Sequence, residues 1–326
     1  MANESYLRTL LDLPRQIEEA AELANNITVQ GPFENIAILG IGGSGLPGEF
    51  LASYADLTIP LIVCKEYELP KAVKSKSLVF AVSYSGNTEE TIMTFREARR
   101  RGAKVVAIAS GGKLEEIATR EGVPFVKVPS GIQPRAAIAY QFFPILSVLH
   151  NAKILPFPTE AVKEMIVALR NPNYMERAKA LAEKLVDKIP LIYSSQKFKA
   201  VAYKWKINFN ENSKTHAFYN ILPEMNHNEL VGFTKLAGTF HAIILQDESD
   251  LPRVKERMKL TKNIIASKGV DTTLIEVTGN SHLARMFSAL HLGDLTSYYL
   301  ADLRGIDPEP VDVVEELKKR LGKYSY

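Results

Sequence analysis

The chain has 326 residues, 46% hydrophobic and 24% charged, a balance that excludes a disordered, collagen-like or fibrous protein and leaves room for two compact domains. Its net charge of +3, with acids and bases interspersed, offers no concentrated basic face of the kind that nucleic-acid binding needs. The single cysteine, Cys64, excludes an intramolecular disulfide or a cysteine-rich metal site, and beside Leu61-Ile62-Val63 it reads as a buried, inert thiol.

The N-terminal stretch Met1 to Ser5 lacks a basic region followed by an apolar one, so it is not a secretory signal. No apolar run reaches the ~18 residues of a membrane span, and a cytoplasmic protein is expected. After an N-terminal helix, short runs rich in Val and Ile alternate with stretches of helical period. Ile36 to Leu39, Leu61 to Lys65, Leu78 to Val82, Val105 to Ala109 and Phe125 to Val128 read as strands. Thr88 to Arg101 and Leu114 to Arg120 read as helices stopped by Gly102 and Gly122. The basic run Arg96, Arg99, Arg100 and Arg101 falls at the end of the first of these, where cations complement the helix dipole.

A further helix, Ala136 to Asn151, is followed by a linker at Pro156 to Thr159. The alternation then resumes, with strands at Leu191 to Ser194, Thr215 to Leu222, His241 to Gln246 and Thr273 to Val277. Helices are expected at Lys197 to Asn208, Arg253 to Ser267, His282 to Leu303 and Val311 to Leu321. The pattern predicts two doubly wound α/β domains with parallel sheets, residues 1–155 and 156–326, plus terminal helices. Ligands of such sheets sit beyond the carboxyl ends of the strands.

Two loops at such ends carry the functional signal. The first strand runs into Gly40-Ile41-Gly42-Gly43-Ser44-Gly45, which satisfies the G-x-G-x-x-G pattern of dinucleotide-binding folds, with Glu66 at the distance of a ribose-binding acid. Dinucleotide binding gives no reason for the second, Ser83-Tyr84-Ser85-Gly86-Asn87-Thr88, which leads into a helix beginning Glu89-Glu90. Hydroxyls and backbone N–H groups at a helix N-terminus form a cradle for a compact dianion, better suited to a monophosphate than to a dinucleotide. The alternative is that Asn87 or Thr88 merely caps the helix, with Glu90 completing a capping box.

These loops resemble the sugar isomerase (SIS) domain, whose serine- and threonine-rich loop holds a substrate phosphate. With Pro134-Arg135-Ala136-Ala137, Asn208-Phe209-Asn210-Glu211-Asn212, Leu222-Pro223-Glu224-Met225-Asn226-His227-Asn228 and Leu317-Lys318-Lys319-Arg320-Leu321, the chain is similar over nearly its whole length to the bifunctional phosphoglucose/phosphomannose isomerases. The resemblance implies two SIS domains and phosphate binding by Gly43, Ser44, Ser83, Ser85 and Thr88. It also implies a cofactor-free aldose–ketose isomerase acting on a sugar 6-phosphate. The segment Pro308-Glu309-Pro310-Val311 departs from the family pattern, in which a hydroxyl residue precedes the last helix.

Isomerisation moves a proton between C1 and C2 through an enediolate, so it needs a base, a cation and groups that open the sugar ring. Glu211, beyond the apolar run Trp205 to Phe209, is a carboxylate partly withdrawn from water, which would raise its pKa and suit it as the base; the family gives it that role. Arg135 can neutralise the enediolate without losing its charge, and a cation is disfavoured at a helix start, which argues against a purely structural role. By resemblance, His227 and Lys318 open the ring, with Lys319 adjacent to Lys318, and His227 reaches a neighbouring chain in a two-fold dimer. A surface histidine and a solvated basic helix end are the structural alternatives. The other histidines show no metal-ligand spacing, so no metal is expected.

Three other functions share parts of this pattern. An amidotransferase making glucosamine 6-phosphate needs a glutaminase domain with an N-terminal cysteine, and a SIS regulator needs a helix-turn-helix module for which the first 30 residues are too few. A nicotinamide-dependent oxidoreductase would use the glycine loop and Glu66.

Overall fold

A computed structural model describes residues 3–322. Met1 and Ala2, which begin the stretch read as lacking a secretory signal, fall outside the described residues. The chain divides into two compact units, one holding Arg15–Thr159 and the residues from Val311 on, the other holding the residues up to Pro14 and Glu160–Pro310.

The first unit is built on a five-stranded parallel sheet of β1 (Asn35–Leu39), β2 (Leu61–Cys64), β3 (Ser77–Val82), β4 (Lys104–Ala109) and β5 (Phe125–Lys127), in the order β2-β1-β3-β4-β5. Its central strands are apolar on both faces because both are covered. On one face Ala37, Val79, Ala81 and Ala107 pack under Ile92 and Phe95 of α4 (Glu89–Arg100) and under Leu114 and Ile117 of α5 (Gly112–Arg120). On the other lie α3 (Leu46–Tyr54) and α6 (Ile138–Asn151), joined by an edge-to-face contact of Phe50 with Phe142 at 6.1 Å. Gly102 and Gly122 adopt φ of +76° and +62° at the ends of α4 and α5, the left-handed stop that the sequence predicts. Arg101 bonds Glu97 and the carbonyls of Leu69, Pro70 and Val73, so this part of the basic run is structural. Cys64 is buried, and burial pushes its thiol pKa up, away from reactivity.

The second unit carries a four-stranded parallel sheet of β6 (Ile189–Ser195), β7 (Phe218–Leu222), β8 (Phe240–Asp247) and β9 (Asp271–Val277), in the order β7-β6-β8-β9. One face, including Leu191, Tyr193, Ala242 and Ile244, packs with Met258 and Ile265 of α10 (Pro252–Ser267). α9 (Lys199–Glu211) lies along β6 and β7, and α11 (His282–Leu303) packs on α9. α1 (Glu4–Leu11) belongs to this unit and touches α11, whereas α12 (Asp312–Leu321) belongs to the five-stranded one. The terminal helices thus lie on the other side of the division from what a single cut near residue 155 gives.

The helices differ from expectation at several places, α3 among them, which the sequence analysis does not predict. The N-terminal helix is broken into α1 and α2 (Leu13–Glu22). Residues 159–185, for which the sequence predicts no element, form α7 (Thr159–Leu169) and α8 (Asn173–Leu185). α9 continues to Glu211 instead of ending at Asn208, because Asn208 and Asn212 spend their amides on α11 and do not terminate the helix.

Candidate active site

In the five-stranded sheet the chain leaves β1 toward one edge and β3 toward the other, so the carboxyl ends of this neighbouring pair form the topological switch point. Three loops assemble there. β1 leads through a single 3₁₀ turn, Gly42–Gly45, into α3; β3 leads through Ser83 to Thr88 into α4; and after β5 the chain returns to a 3₁₀ turn, Pro134–Ala136, ahead of α6. The Tyr84 N–H donates to Ser44 Oγ at 2.9 Å. The Tyr84 hydroxyl donates to the Pro129 carbonyl at 2.8 Å and accepts the Ile132 N–H at 3.0 Å, so one residue fastens all three loops.

The packing is close enough to demand glycine, at Gly43 and Gly86 among other positions. A Cβ on Gly43 would lie 2.7 Å from the Pro134 carbonyl carbon and 2.8 Å from the Arg135 nitrogen, which seats the glycine loop directly against the arginine turn. Gly86 combines φ of +71° with a Cβ position 1.7 Å from the Gly111 oxygen.

The hydroxyls of this cradle fall into two kinds. Ser83 is completely buried; its Oγ donates to Thr88 Oγ1 at 2.8 Å and accepts the Thr88 N–H at 3.3 Å. Ser44, also buried, is engaged by Tyr84. Both tie the loops together, and the O–H of Ser44, which only accepts in this bond, is left to donate; Ser85 is exposed and Thr88 half-buried. The helix-cap alternative does not describe the loop. Thr88 occupies the N-cap position of α4 in extended conformation, yet its side chain makes no capping hydrogen bond. Asn87 turns instead to accept the Lys113 N–H at 3.0 Å and donate to the Ser85 carbonyl at 3.2 Å. The start of α4 is thus left without a side-chain cap, in the state that suits an incoming anion.

Arg135 is 1% exposed, and its Nη1 donates to Gln133 Oε1 at 3.3 Å. A surface ion pair is therefore not its role. Burying a guanidinium that cannot shed its proton is costly unless partners offset it.

The corresponding edge of the four-stranded sheet is built differently. Where β3 ends in hydroxyls, β8 ends in Asp247-Glu248-Ser249-Asp250, and the buried Asp247 carboxylate is taken up by Arg285 Nε at 2.5 Å and by the Ser249 N–H and Oγ at 3.2 and 3.0 Å. An acidic loop closed by its own arginine is no phosphate cradle.

Glu211 is the last residue of α9 and is half-buried. The negative end of the helix dipole makes this a poor place for a carboxylate on structural grounds alone. His227 closes a 3₁₀ turn, Glu224–His227, and is exposed. The residues around it are anchored. Asn226 donates to Thr261 Oγ1 at 2.8 Å, and the Glu229 carboxylate accepts from the Tyr193 hydroxyl at 2.7 Å and from Asn220 Nδ2 at 2.6 Å. Burial and the Glu229 charge push the Tyr193 pKa up, so it remains a donor.

The sheet separates these two residues. α9 runs back from the carboxyl end of β6, so Glu211 lies at the amino edge; His227 follows β7 and lies at the carboxyl edge. Lys318 is exposed in the last turn of α12 and paired with Glu315 at 2.6 Å. Among the described residues no group of three or more His, Cys, Asp or Glu is placed to hold a metal ion. His241 and His291 are buried, and desolvation lowers each pKa to about 4.

The structure thus gathers Gly43, Ser44, Ser83, Ser85, Thr88 and Arg135 in one unit, and places Glu211 and His227 at opposite edges of the sheet of the other. Sequence reasoning missed Tyr84 as the fastening residue; its place between two serines in the polar loop was the available signal.

The SIS domain family matches residues 33–121, and the family described as the bacterial phospho-glucose isomerase C-terminal SIS domain matches residues 174–321. The bifunctional phosphoglucose/phosphomannose isomerase of Caldicellulosiruptor bescii is 39% identical over 97% of this chain and 98% of its own. The D-glucosamine-6-phosphate 4-epimerase of Sulfolobus acidocaldarius is 31% identical over 88% of this chain and 89% of its own. Among solved structures, the C-terminal domain of glucosamine-fructose-6-phosphate aminotransferase from Francisella tularensis covers 94% of this chain and 98% of that one. Its TM-score is 0.74 at 14% identity, a likeness of fold.

Proposed function

The chain belongs to the family of bifunctional phosphoglucose/phosphomannose isomerases, and we propose that it converts glucose 6-phosphate and mannose 6-phosphate to fructose 6-phosphate, with Glu211 as the base. The observation that carries the substrate class is the cradle of unit one: an uncapped start of α4, the hydroxyls of Ser83, Ser85 and Thr88 beside it, and the Ser44 hydroxyl fastened to the same loop by the Tyr84 N–H. It holds the 6-phosphate. Gly43 contributes by letting that loop lie against the Arg135 turn.

His227 and Lys318 act on the ring oxygen and open the sugar. Glu211 then takes the proton from C2 of the aldose; the C–H electrons form the C1–C2 double bond and the carbonyl electrons move to O1. Arg135 stabilises the resulting enediolate charge without proton exchange of its own. Return of the proton to C1, with transfer of the C2 hydroxyl proton to O1, leaves the ketose. Atoms and electrons balance without metal or redox cofactor. No described helix is long and apolar enough to cross a membrane, and we place the enzyme in the cytoplasm.

Incubation with glucose 6-phosphate and mannose 6-phosphate in separate assays should yield fructose 6-phosphate from each, at a rate that a chelator leaves unchanged. Failure with both substrates, together with C4 epimerisation of glucosamine 6-phosphate, would instead assign the chain the activity of the epimerase relative.

His227 serves a neighbouring chain in a two-fold dimer. What supports this, beside the family resemblance, is that Glu211 and His227 of one chain lie at opposite edges of one sheet. Mixed dimers of Glu211→Gln and His227→Ala chains would hold one doubly damaged site and one intact site. Since random pairing makes half the molecules mixed, co-expression should restore about a quarter of wild-type activity from two nearly inactive parents. Mixed dimers without recovery would confine His227 to its own chain.

A further inference from the structure

Over its last two turns α9 meets α11 through polar side chains. Lys204 and Asp294, 1% and 5% exposed, pair with Nζ to Oδ1 at 2.7 Å; Lys204 Nζ also donates to Asn208 Oδ1 at 2.6 Å, and the Asn208 amide donates to the same Asp294 oxygen. One turn on, the fully buried Asn212 donates to Ser297 Oγ at 2.8 Å and accepts the Tyr6 hydroxyl of α1 at 2.9 Å. Ser297 Oγ in turn donates to the Asp294 carbonyl at 2.8 Å. Lys204, Asn208 and Asn212 are spaced by four residues and Asp294 and Ser297 by three, so each set forms one row along its helix. At the other end of the row Trp205 Nε1 donates to the Ala289 carbonyl at 2.8 Å. The indole there occupies space that a Cβ on Gly293 would need, at 2.2 Å.

Stability alone gives little reason for such a row. A buried ion pair loses its hydration, and replacing it by well-packed apolar residues is often neutral or stabilising. What the row does supply is register. Sliding or rotating α9 against α11 would leave an ammonium, a carboxylate and two amides buried without partners, whereas an apolar interface would repack at small cost. The residue at which this register is delivered is Glu211, the last of the helix and the neighbour of Asn212.

We propose that Lys204, Asn208, Asp294, Asn212 and Ser297 are positioning residues that hold the Glu211 carboxylate in place for proton transfer. The inference rests on the reading of Glu211 as the base. A carboxylate misplaced by about 1 Å can lose on the order of 10²-fold in rate.

The test replaces the ion pair and its amide by apolar side chains, Lys204→Met with Asn208→Leu and Asp294→Leu. The enzyme should keep its melting temperature within a few degrees and its KM, while kcat falls by about 10- to 100-fold. Should this variant fail to fold, Ser297→Ala and Ser297→Thr decide: alanine lowers kcat at constant KM, and threonine, which keeps the hydroxyl, restores it. Wild-type kcat in the folded triple variant or in Ser297→Ala overturns the proposal, as does a loss of activity that only tracks a loss of folded protein. Glu211→Gln is assayed alongside. If it is inactive while the positioning variants are fully active, positioning alone fails; if it is fully active, the base assignment fails.

Discussion

Glu211→Gln should bind sugar 6-phosphates with near wild-type affinity and isomerise them about 10² to 10⁴ times more slowly. The amide keeps the size and shape of the carboxylate, so the buried contacts around it change little, but it cannot accept the C2 proton. Its neighbours have bonds of their own: Asn210 donates to the Thr215 carbonyl at 2.9 Å, and Asn212 donates to Ser297 and accepts from Tyr6. A loss confined to kcat identifies the group as one used in the transition state. Glu211→Gln turning over near the wild-type rate would remove it from the mechanism.

Changing Ser83, Ser85 and Thr88 together to alanine should raise KM for sugar 6-phosphates by at least ~10²-fold. Hydrogen bonds to a charged group contribute roughly 1.5 to 3 kcal/mol each, and the variant removes the hydroxyl donors of Ser85 and Thr88. Ser83 acts through the loop: without its hydroxyl the Thr88 N–H and Oγ1 both lose a partner. Affinity for an unphosphorylated sugar, already weak, should barely change. A triple variant that retains wild-type KM for the 6-phosphates would place phosphate binding elsewhere.

Much of this architecture was legible in the order of residues. Strands buried on both faces show as unbroken apolar runs, such as Leu78 to Val82, and α11 begins where Ser281 accepts the Ala284 N–H, a capping signal readable from sequence. α3 was not legible because Pro47 and Gly48 look like a continuation of the glycine loop. Gly48 is in fact required by packing: a Cβ there would meet Val63 at 2.9 Å. α7 and α8 follow a proline-rich stretch that reads as the end of structure.

In the loops at the switch point, the residue types are plain in the sequence but the hydrogen bonds that tie the loops together are not. Ser44 Oγ accepts the Tyr84 N–H from 40 residues away, a bond that leaves its own O–H to donate and that cannot be read from local pattern. The same holds for Asn208 and Asn212, whose bonds to Asp294 and Ser297 span about 85 residues. Paired asparagines four residues apart on a helix looked like a polar end and are instead its lock. That Glu211 and His227 lie at opposite sheet edges follows from the βαβ order alone and was available before any coordinates.

The most direct measurement is proton exchange at C2. Glucose 6-phosphate incubated with the enzyme in deuterated water and followed by NMR should give fructose 6-phosphate carrying deuterium at C1, while the remaining aldose gains deuterium at C2. Glu211→Gln enzyme should show neither change. Wild-type enzyme that produces no ketose and leaves the C2 hydrogen in place would contradict isomerisation through an enediolate.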